Sequence, residues 1–345
     1  MSSDVVILFG GSSSERLVSV ASAQNVSTHL PDASCWFIAK DGPVFVTPHA
    51  ELAAHRNAFT DDFRPKTAAR WPSLDDALDS DDARGRTFFL SLHGGDGENG
   101  VTQRKLEGRG LAFTGSDSTA SANAFDKHKT RELAAAKGAR IAEARLLDTS
   151  NPELLTRSLH ELMARSPRWV LKPRADGSSH GLVHLRATSE IPAAAAKLHA
   201  LRISYLAEQF VEGRELTVGV IDDVDGPAAL PVSEVRLLDG GAFDYEGKYL
   251  GRGTEELTPA PIDDGQRAQA QALAVLTHRA VGCYGYSRTD MILTTSGPVL
   301  LEINTLPGMT KASFIPQQLA AANRDVKAFI HHQLELARAR RDTSK

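Results

Sequence analysis

Four polar side chains in one short stretch, Arg288, Asp290, Glu302 and Asn304, have the spacing of a hairpin that could hold metal ions. Thr295-Ser296-Gly297 has the form of a three-residue hairpin loop with glycine at the left-handed position. Pro298 then opens the return strand, where its missing N–H is tolerated. That turn sets Asp290 opposite Glu302 and Arg288 opposite Asn304, and the period-two alternation of strands puts all four on one face. Two carboxylates directly across a ladder repel each other. A divalent cation between them would remove the repulsion and become the largest local charge. Asp, Glu and an Asn amide form an oxygen-only set suited to magnesium or manganese. The same residues also suit a solvent-facing hairpin with a polar face, so the reading depends on what surrounds them.

Other segments could supply the rest of a site. Lys172-Pro-Arg-Ala-Asp-Gly-Ser-Ser-His-Gly181 is a glycine- and serine-rich loop between two strands. Its N–H groups and hydroxyls could wrap phosphate oxygens beside a lysine, or it could be a plain polar turn. It lacks the residue order of a P-loop. Glu208-Gln-Phe-Val-Glu-Gly-Arg-Glu215 joins two strands. It offers backbone groups and Glu208 to an adenine edge and Glu215 to ribose hydroxyls, or it is a surface hairpin. Gly95–Gly100 contains G-x-G-x-x-G between a strand and a helix, but that strand lies mid-domain rather than first, which argues against dinucleotide binding. Ser12-Ser-Ser-Glu15 has capping-box spacing, so Glu15 could bond the helix N-terminus. Alternatively, Glu15 faces the carboxyl edge of a sheet, where it could hold a substrate ammonium. Gly240–Thr254 mixes glycines with Tyr245, Lys248 and Tyr249, as a lid with hinges would.

Positioning these groups falls to a chain that changes character along its length. Val5–Phe9 and Phe88–Leu92 are short apolar strands followed by helical patterns, to about Leu30 and over Val101–Arg109. Strands alternating with helices imply a parallel sheet in the first ~120 residues. Residues 40–86 are Asp-, Ala- and Pro-rich and carry little signal. Helices are expected at Thr130–Lys137, Pro152–Arg165, Asp264–Gly282 and Asp325–Arg340. Strand pairs are expected at Trp169–Lys172 with Leu182–Leu185, and at Tyr205–Phe210 with Glu215–Ile221. Hairpin-linked pairs point to antiparallel α+β domains behind an α/β one.

Composition narrows the classes. With 345 residues the chain suits roughly two or three domains. Its 41% hydrophobic and 24% charged residues are those of an ordinary globular protein. A net charge of -4 gives no electrostatic footprint for nucleic acid. Two cysteines are too few for a disulfide framework. No segment approaches ~18 uninterrupted apolar residues, and the N-terminus lacks a basic n-region, so a cytoplasmic protein is expected.

Taken in order, the motifs resemble the D-alanine–D-alanine ligases of the ATP-grasp superfamily. The matching pieces begin with Phe9-Gly-Gly-Ser-Ser-Ser-Glu-Arg-Leu-Val-Ser19, Leu92–Gly100, Phe113-Thr-Gly-Ser116 and Asp126-Lys127. They continue through Lys172–Gly181, Phe243–Tyr249, Arg288-Thr-Asp290 and Leu301–Thr310. The resemblance implies an α/β and α+β molecule with an ATP-grasp fold. Its parts would be an N-terminal parallel-sheet domain over residues 1–120, a central lobe over 121–206, and a C-terminal lobe over 207–345.

The activity implied is ATP-dependent ligation of two D-alanines through an acyl phosphate, for peptidoglycan precursor synthesis, in a homodimer. Lys127 and Lys172 would contact ATP phosphates, with Ser178 and Ser179 in the phosphate loop and Lys248 reaching from the lid. Glu208, Phe210 and Val211 would meet adenine, and Glu215 the ribose. Asp290, Glu302 and Asn304 would bind two magnesium ions, or manganese. Glu15 would hold the first ammonium within a Glu15–Ser178–Tyr249 set, with His93 and Val18 beside that substrate. Arg288 and the Gly308 N–H would face the tetrahedral intermediate, and Ser313 would hold the second carboxylate next to Phe314.

Three positions depart from the family pattern: Asn99 and Asp176 stand where aspartate and glutamate are common, and Phe314 where leucine is usual. Phe314 touches the second-substrate wall. This leaves a relative that joins D-alanine to another amino or hydroxy acid, or makes a secondary-metabolite dipeptide, as the alternative.

Overall fold

The computed structural model describes residues 4–177, 181–237 and 254–343. Three sheets organise them. The first contains β1 (Val5–Gly10), β2 (Ser34–Ile38), β3 (Val44–Thr47), β4 (Thr87–Leu92) and β5 (Ala112–Phe113) in the order β3-β2-β1-β4-β5. All its pairings are parallel except that of the edge strand β3. Helix α1 (Arg16–His29) follows β1, while α2 (His49–Ala54) and α3 (Leu74–Asp79) fall in the stretch that gave little signal. Every residue of β1 and β4 is buried, as expected of parallel strands covered on both faces. Helix α4 (Val101–Glu107) follows β4, and α5 (Ser118–Phe125) and α6 (Lys127–Ala135) lead out of this sheet.

The second sheet is antiparallel, with β6 (Ala144–Leu147), β7 (Trp169–Pro173), β8 (Val183–Leu185) and β9 (Tyr205–Gln209) in the order β6-β9-β7-β8. Helices α7 (Pro152–Arg165) and α8 (Ile191–Leu201) cover it. The start of α7 follows from its sequence. The Asn151 side chain accepts from the N–H groups of Glu153 and Leu154, and Pro152 occupies the first turn. Leu155, Leu159 and Leu162 then share the buried face.

The third sheet contains β10 (Arg214–Asp223), β11 (Gly226–Ala229), β12 (Ser233–Leu237), β13 (Thr254–Leu257), β14 (Tyr286–Thr294) and β15 (Gly297–Asn304). Its order is β13-β12-β10-β14-β15, with β11 also on β10. Leu216, Val218, Val220, Met291 and Leu293 form a core with α9 (Asp264–Val281). Their odd-numbered neighbours on β10, Glu215, Thr217 and Gly219, therefore face the opposite way. Helix α10 (Phe314–Ala321) packs on that opposite face, where Gln318 accepts from the Gly219 N–H and donates to the Thr217 carbonyl. The closing helix α11 (Val326–Thr343) returns to the first sheet, and its Phe329, Ile330 and Leu334 join that core.

Two expectations are corrected. Strands β9 and β10 are consecutive but do not pair; β9 lies in the second sheet and β10 in the third. The Phe210–Gly213 connector thus crosses between sheets rather than turning a surface hairpin. The β14–β15 turn is also tighter than expected. Thr294 pairs with Gly297 around two residues, a register that by itself would set Asp290 opposite Leu301. An irregularity between Asp290 and Met291 shifts the ladder, so Asp290 pairs with Glu302 and Arg288 with Asn304 after all. The expected pairing holds because a bulge at Leu301 re-aims Glu302, not because of the loop length.

Candidate active site

The three sheets converge on a cleft lined by side chains from each. On the third sheet, Thr217, Arg288, Asp290, Glu302 and Asn304 share the face away from α9. Asp290 is buried and held from three sides. It accepts from Arg288 Nε (2.9 Å) and Nη2 (2.7 Å), from Thr217 Oγ1 (2.6 Å) and from Asn304 Nδ2 (3.3 Å). The Glu302 carboxylate lies 3.4 Å from Lys127 Nζ. The facing carboxylates are each matched by a cation, in place of the repulsion expected between them. This donor set fits a hard divalent cation: two carboxylates and an amide oxygen supply part of an oxygen shell and leave positions for phosphate oxygens.

Lys127 and Arg131 lie one turn apart on α6 and reach different sheets. Lys127 Nζ donates to the Asp176 carbonyl (2.5 Å) in the glycine-rich loop, tying that loop to Glu302. Arg131 pairs with Glu208 and donates to the Ala142 carbonyl. Glu208 also takes Lys172 Nζ at 2.5 Å, so this carboxylate sits between two cations, all three buried. Phe210 follows, its ring 3.6 Å from the Arg168 guanidinium. Val211 is partly buried in the connector between the second and third sheets.

The first sheet supplies Glu15, Val18 and His93. Glu15 is the N-cap of α1 without capping it; its own N–H donates to Ser13 Oγ, which donates to the His93 carbonyl. The capping-box expectation is therefore corrected, because the helix begins at Arg16, too late for Glu15 to serve as its third residue. The buried Glu15 carboxylate packs against two glycines: a Cβ at Gly94 would lie 2.6 Å, and one at Gly177 2.2 Å, from its Oε2. A side chain at either place would displace the Glu15 carboxylate, and this close approach brings the second sheet's loop onto the first sheet's carboxylate.

His93 is buried beneath this strip. Ser22 Oγ accepts from the Met309 N–H and is hydrogen-bonded to His93 Nε2 at 2.9 Å. Burial lowers the His93 pKa to about 4, and the ring is neutral at pH 7. Val18 lies buried in α1. Glu98 accepts from the Gly94 N–H (2.8 Å), and burial together with the Glu15 carboxylate pushes its pKa up to about 8.

At the far wall, Ser313 is the N-cap of α10 and its Oγ accepts from the Thr310 N–H (3.1 Å). A Cβ at Gly308 would collide with it at 2.6 Å. Phe314 is buried, with the Arg288 guanidinium 5.9 Å over its ring. Glu215 lies on the same sheet face, one strand from Asp290's row. Ser178, Ser179, Lys248 and Tyr249 lie outside the described residues.

Arg131, Glu98, Thr217 and Ser22 were not singled out in the sequence. The i, i+4 relation to Lys127 was the available signal for Arg131; the others depend on contacts distant in the chain. A cavity of about 210 Å³ also opens at the carboxyl edge of the first sheet, along Gly10–Ser13, Ile38 and Lys105. It lies away from Asp290, Glu302 and Glu208. The cleft itself holds a smaller space between Lys127, Gly177, Glu302 and Asn304.

Comparison with known proteins gives this geometry a context. Solved structures with a similar fold include the D-alanine–D-alanine ligase of Coxiella burnetii. It has a TM-score of 0.80 at 23% identity, covering 99% of this chain and 95% of that one. The VanG D-Ala:D-Ser ligase of Enterococcus faecalis has a TM-score of 0.78 at 25% identity, covering 96% and 98%. The fold is that of the ATP-grasp ligases.

Sequence narrows the class further. The models of the D-ala D-ala ligase N-terminus and C-terminus match residues 4–116 and 153–335. D-alanine–D-alanine ligases of Leptospira interrogans (serovar copenhageni) and Herminiimonas arsenicoxydans are 31% and 34% identical. Those alignments cover 96% and 92% of this chain, and 97% and 86% of theirs. The chain belongs to the D-alanine–D-alanine ligase family, whose members use ATP. No helix among the described residues is long and apolar enough to cross a membrane.

Proposed function

We propose that this protein joins two D-alanines into D-alanyl-D-alanine at the expense of ATP, supplying the dipeptide for peptidoglycan. The observation that carries the reading is the meeting of the three sheets at one point. Glu15 packs against Gly177 of the second sheet, and Lys127 joins that sheet's loop to Glu302 of the third.

A carboxylate is a poor acyl donor, so the first D-alanine is phosphorylated by ATP to an acyl phosphate, releasing ADP. Glu15 holds its ammonium, with His93 and Val18 as the adjoining wall. Glu208, Phe210 and Val211 receive adenine, Glu215 the ribose, and Lys127 and Lys172 the phosphates, with Ser178, Ser179 and Lys248 closing over them. Magnesium or manganese at Asp290, Glu302 and Asn304 would supply charge neutralisation on the phosphoryl oxygens.

The second D-alanine, its carboxylate at Ser313, then attacks as the neutral amine. A tetrahedral oxyanion forms facing Arg288 and the Gly308 N–H, and inorganic phosphate leaves. Tyr249, in a set with Ser178 and Glu15, would hold a lid shut so that water does not take the acyl phosphate. A cytoplasmic homodimer completes the reading.

The test is ADP release across D- and L-amino acids, alone and in pairs, with products identified by mass spectrometry. D-serine and D-lactate belong in the panel because Phe314 lines the acceptor wall. D-alanyl-D-alanine as the main product with two D-alanines is expected. ADP release that requires a different acceptor would overturn the assignment.

A further inference from the structure

Arg131, Glu208 and Lys172 form a buried cluster with one positive charge in excess. Their relative exposures are 3%, 3% and 8%. Arg131 Nη1 sits on Glu208 Oε1, and Lys172 Nζ on Oε2 at 2.5 Å. A buried carboxylate needs compensating charge, and a buried cation without a partner is as costly. Either cation alone would balance Glu208, so the second carries a charge that an anionic ligand could take up.

The two cations differ in freedom. Arg131 is fixed at a second point, donating to the Ala142 carbonyl at the start of the second sheet. Its planar guanidinium suits such a permanent, two-point role. Lys172 is a point charge on a flexible stem beside the glycine-rich loop, and can turn from Glu208 toward a ligand oxygen.

We infer that Arg131 is a positioning residue for nucleotide binding: by remaining as the counter-ion of Glu208, it releases Lys172 to the triphosphate. Without Arg131, Lys172 is the sole neutraliser of a buried carboxylate, and moving it to a phosphate strands that charge. Arg131 therefore acts on nucleotide affinity without touching the nucleotide. This rests on the reading above that Lys172 meets phosphate and Glu208 meets adenine.

Inorganic triphosphate, which has no base, separates the two halves of that reading. Its binding and that of ATP are measured by calorimetry with magnesium present, below the melting temperature of every variant. Arg131→Met is expected to weaken triphosphate roughly tenfold or more, as loss of a charged hydrogen bond does, while Arg131→Lys stays within a few-fold of wild type. Glu208→Gln weakens ATP but not triphosphate.

The decisive variant is Arg131→Met combined with Glu208→Gln. A neutral amide needs no counter-ion, so Lys172 is free again and triphosphate affinity returns close to wild type. A general structural role for Arg131 would not produce that recovery. If Lys172→Met leaves triphosphate binding unchanged, the phosphate role of Lys172 itself fails. If Lys172→Met weakens it but Arg131→Met does not, or the double variant does not recover, the release role of Arg131 fails alone. Should Arg131→Met not fold, the double variant decides by itself: triphosphate binding as weak as in Lys172→Met overturns the proposal.

Discussion

At the cleft, the second and third sheets bury carboxylates paired with cations, whereas beside the first sheet, Glu15 apart, the buried polar groups form a chain of neutral hydrogen bonds. Around Glu208, Asp290 and Glu302, each carboxylate is met by Arg131 and Lys172, by Arg288, and by Lys127. Beside the first sheet, the Gly10 N–H donates to Ser19 Oγ, Ser19 donates to the Ser91 carbonyl, and Ser22 joins Met309 to His93. Asn25 donates to the Met309 carbonyl in the same region.

The difference has a physical consequence. Ion pairs can be exchanged for a ligand's charges with little net change in burial energy, so a region built on them can receive phosphates and metal ions. A chain of neutral bonds has no charge to exchange and fixes geometry instead. The second kind suits recognition of a small amino acid, where Glu15 must be held in one place.

The strongest way to break this comparison is at the hairpin proposed to hold metal. Glu302→Gln keeps the shape and removes the charge, and loss of ATP-dependent ADP release with an unchanged circular dichroism spectrum is expected. Activity within several-fold of wild type would mean that the hairpin is not the metal site.

The first-sheet side is best probed by volume. Gly94→Ala places a methyl 2.6 Å from the Glu15 carboxylate, with φ at +65°. KM for the first amino acid should rise about tenfold, as expected when a charged hydrogen bond is misaligned. Gly11→Ala is the control: its φ is also positive, at +100°, but a Cβ there meets nothing within 4 Å. It should cost stability through backbone strain and leave KM near wild type; equal KM increases in both variants would rule out the steric account.

Tyr249→Phe tests the proposed Glu15–Ser178–Tyr249 set. Loss of its hydroxyl should loosen closure by roughly tenfold. It should also give measurable D-alanyl-D-lactate synthesis below neutral pH, where a competing amine is protonated. Mass spectrometry with both acceptors present reads the outcome, and an unshifted product ratio at every pH argues against the Glu15–Ser178–Tyr249 set.

The smallest effect on activity, but a defined one on stability, concerns His93. Its folded pKa of about 4 lies below the ordinary value of 6.5, so between those pH values the unfolded chain takes a proton that the folded chain refuses. Stability should be unaffected by this group above pH 6.5 and fall as pH drops toward 4, by on the order of 3 kcal/mol. Denaturant titrations of wild type and His93→Gln across that window should show the slope reduced in the variant. Parallel slopes would remove His93 as the cause.

Much of this was legible in the sequence because it is local. The caps and leucine spacing of α7, the apolar runs of β1 and β4, and the alternation of β10 are set by neighbours within a turn or two. The polar set Arg288, Asp290, Glu302 and Asn304 was visible for the same reason, since a short turn joins its two strands.

What the sequence could not decide depends on pairing across distance. Nothing local separates β9 from β10 into different sheets, because an apolar strand does not encode which edge it will join. The bulge at Leu301 was equally hidden: a different turn with no bulge predicts the same pairing at Asp290. The partners of the buried charges lie far apart in the chain, Arg131 being 77 residues from Glu208 and Asp290 73 from Thr217. A residue's type fixes the charge or hydrogen bond it brings; which opposite group compensates it when water is excluded is decided only when the sheets close on one another.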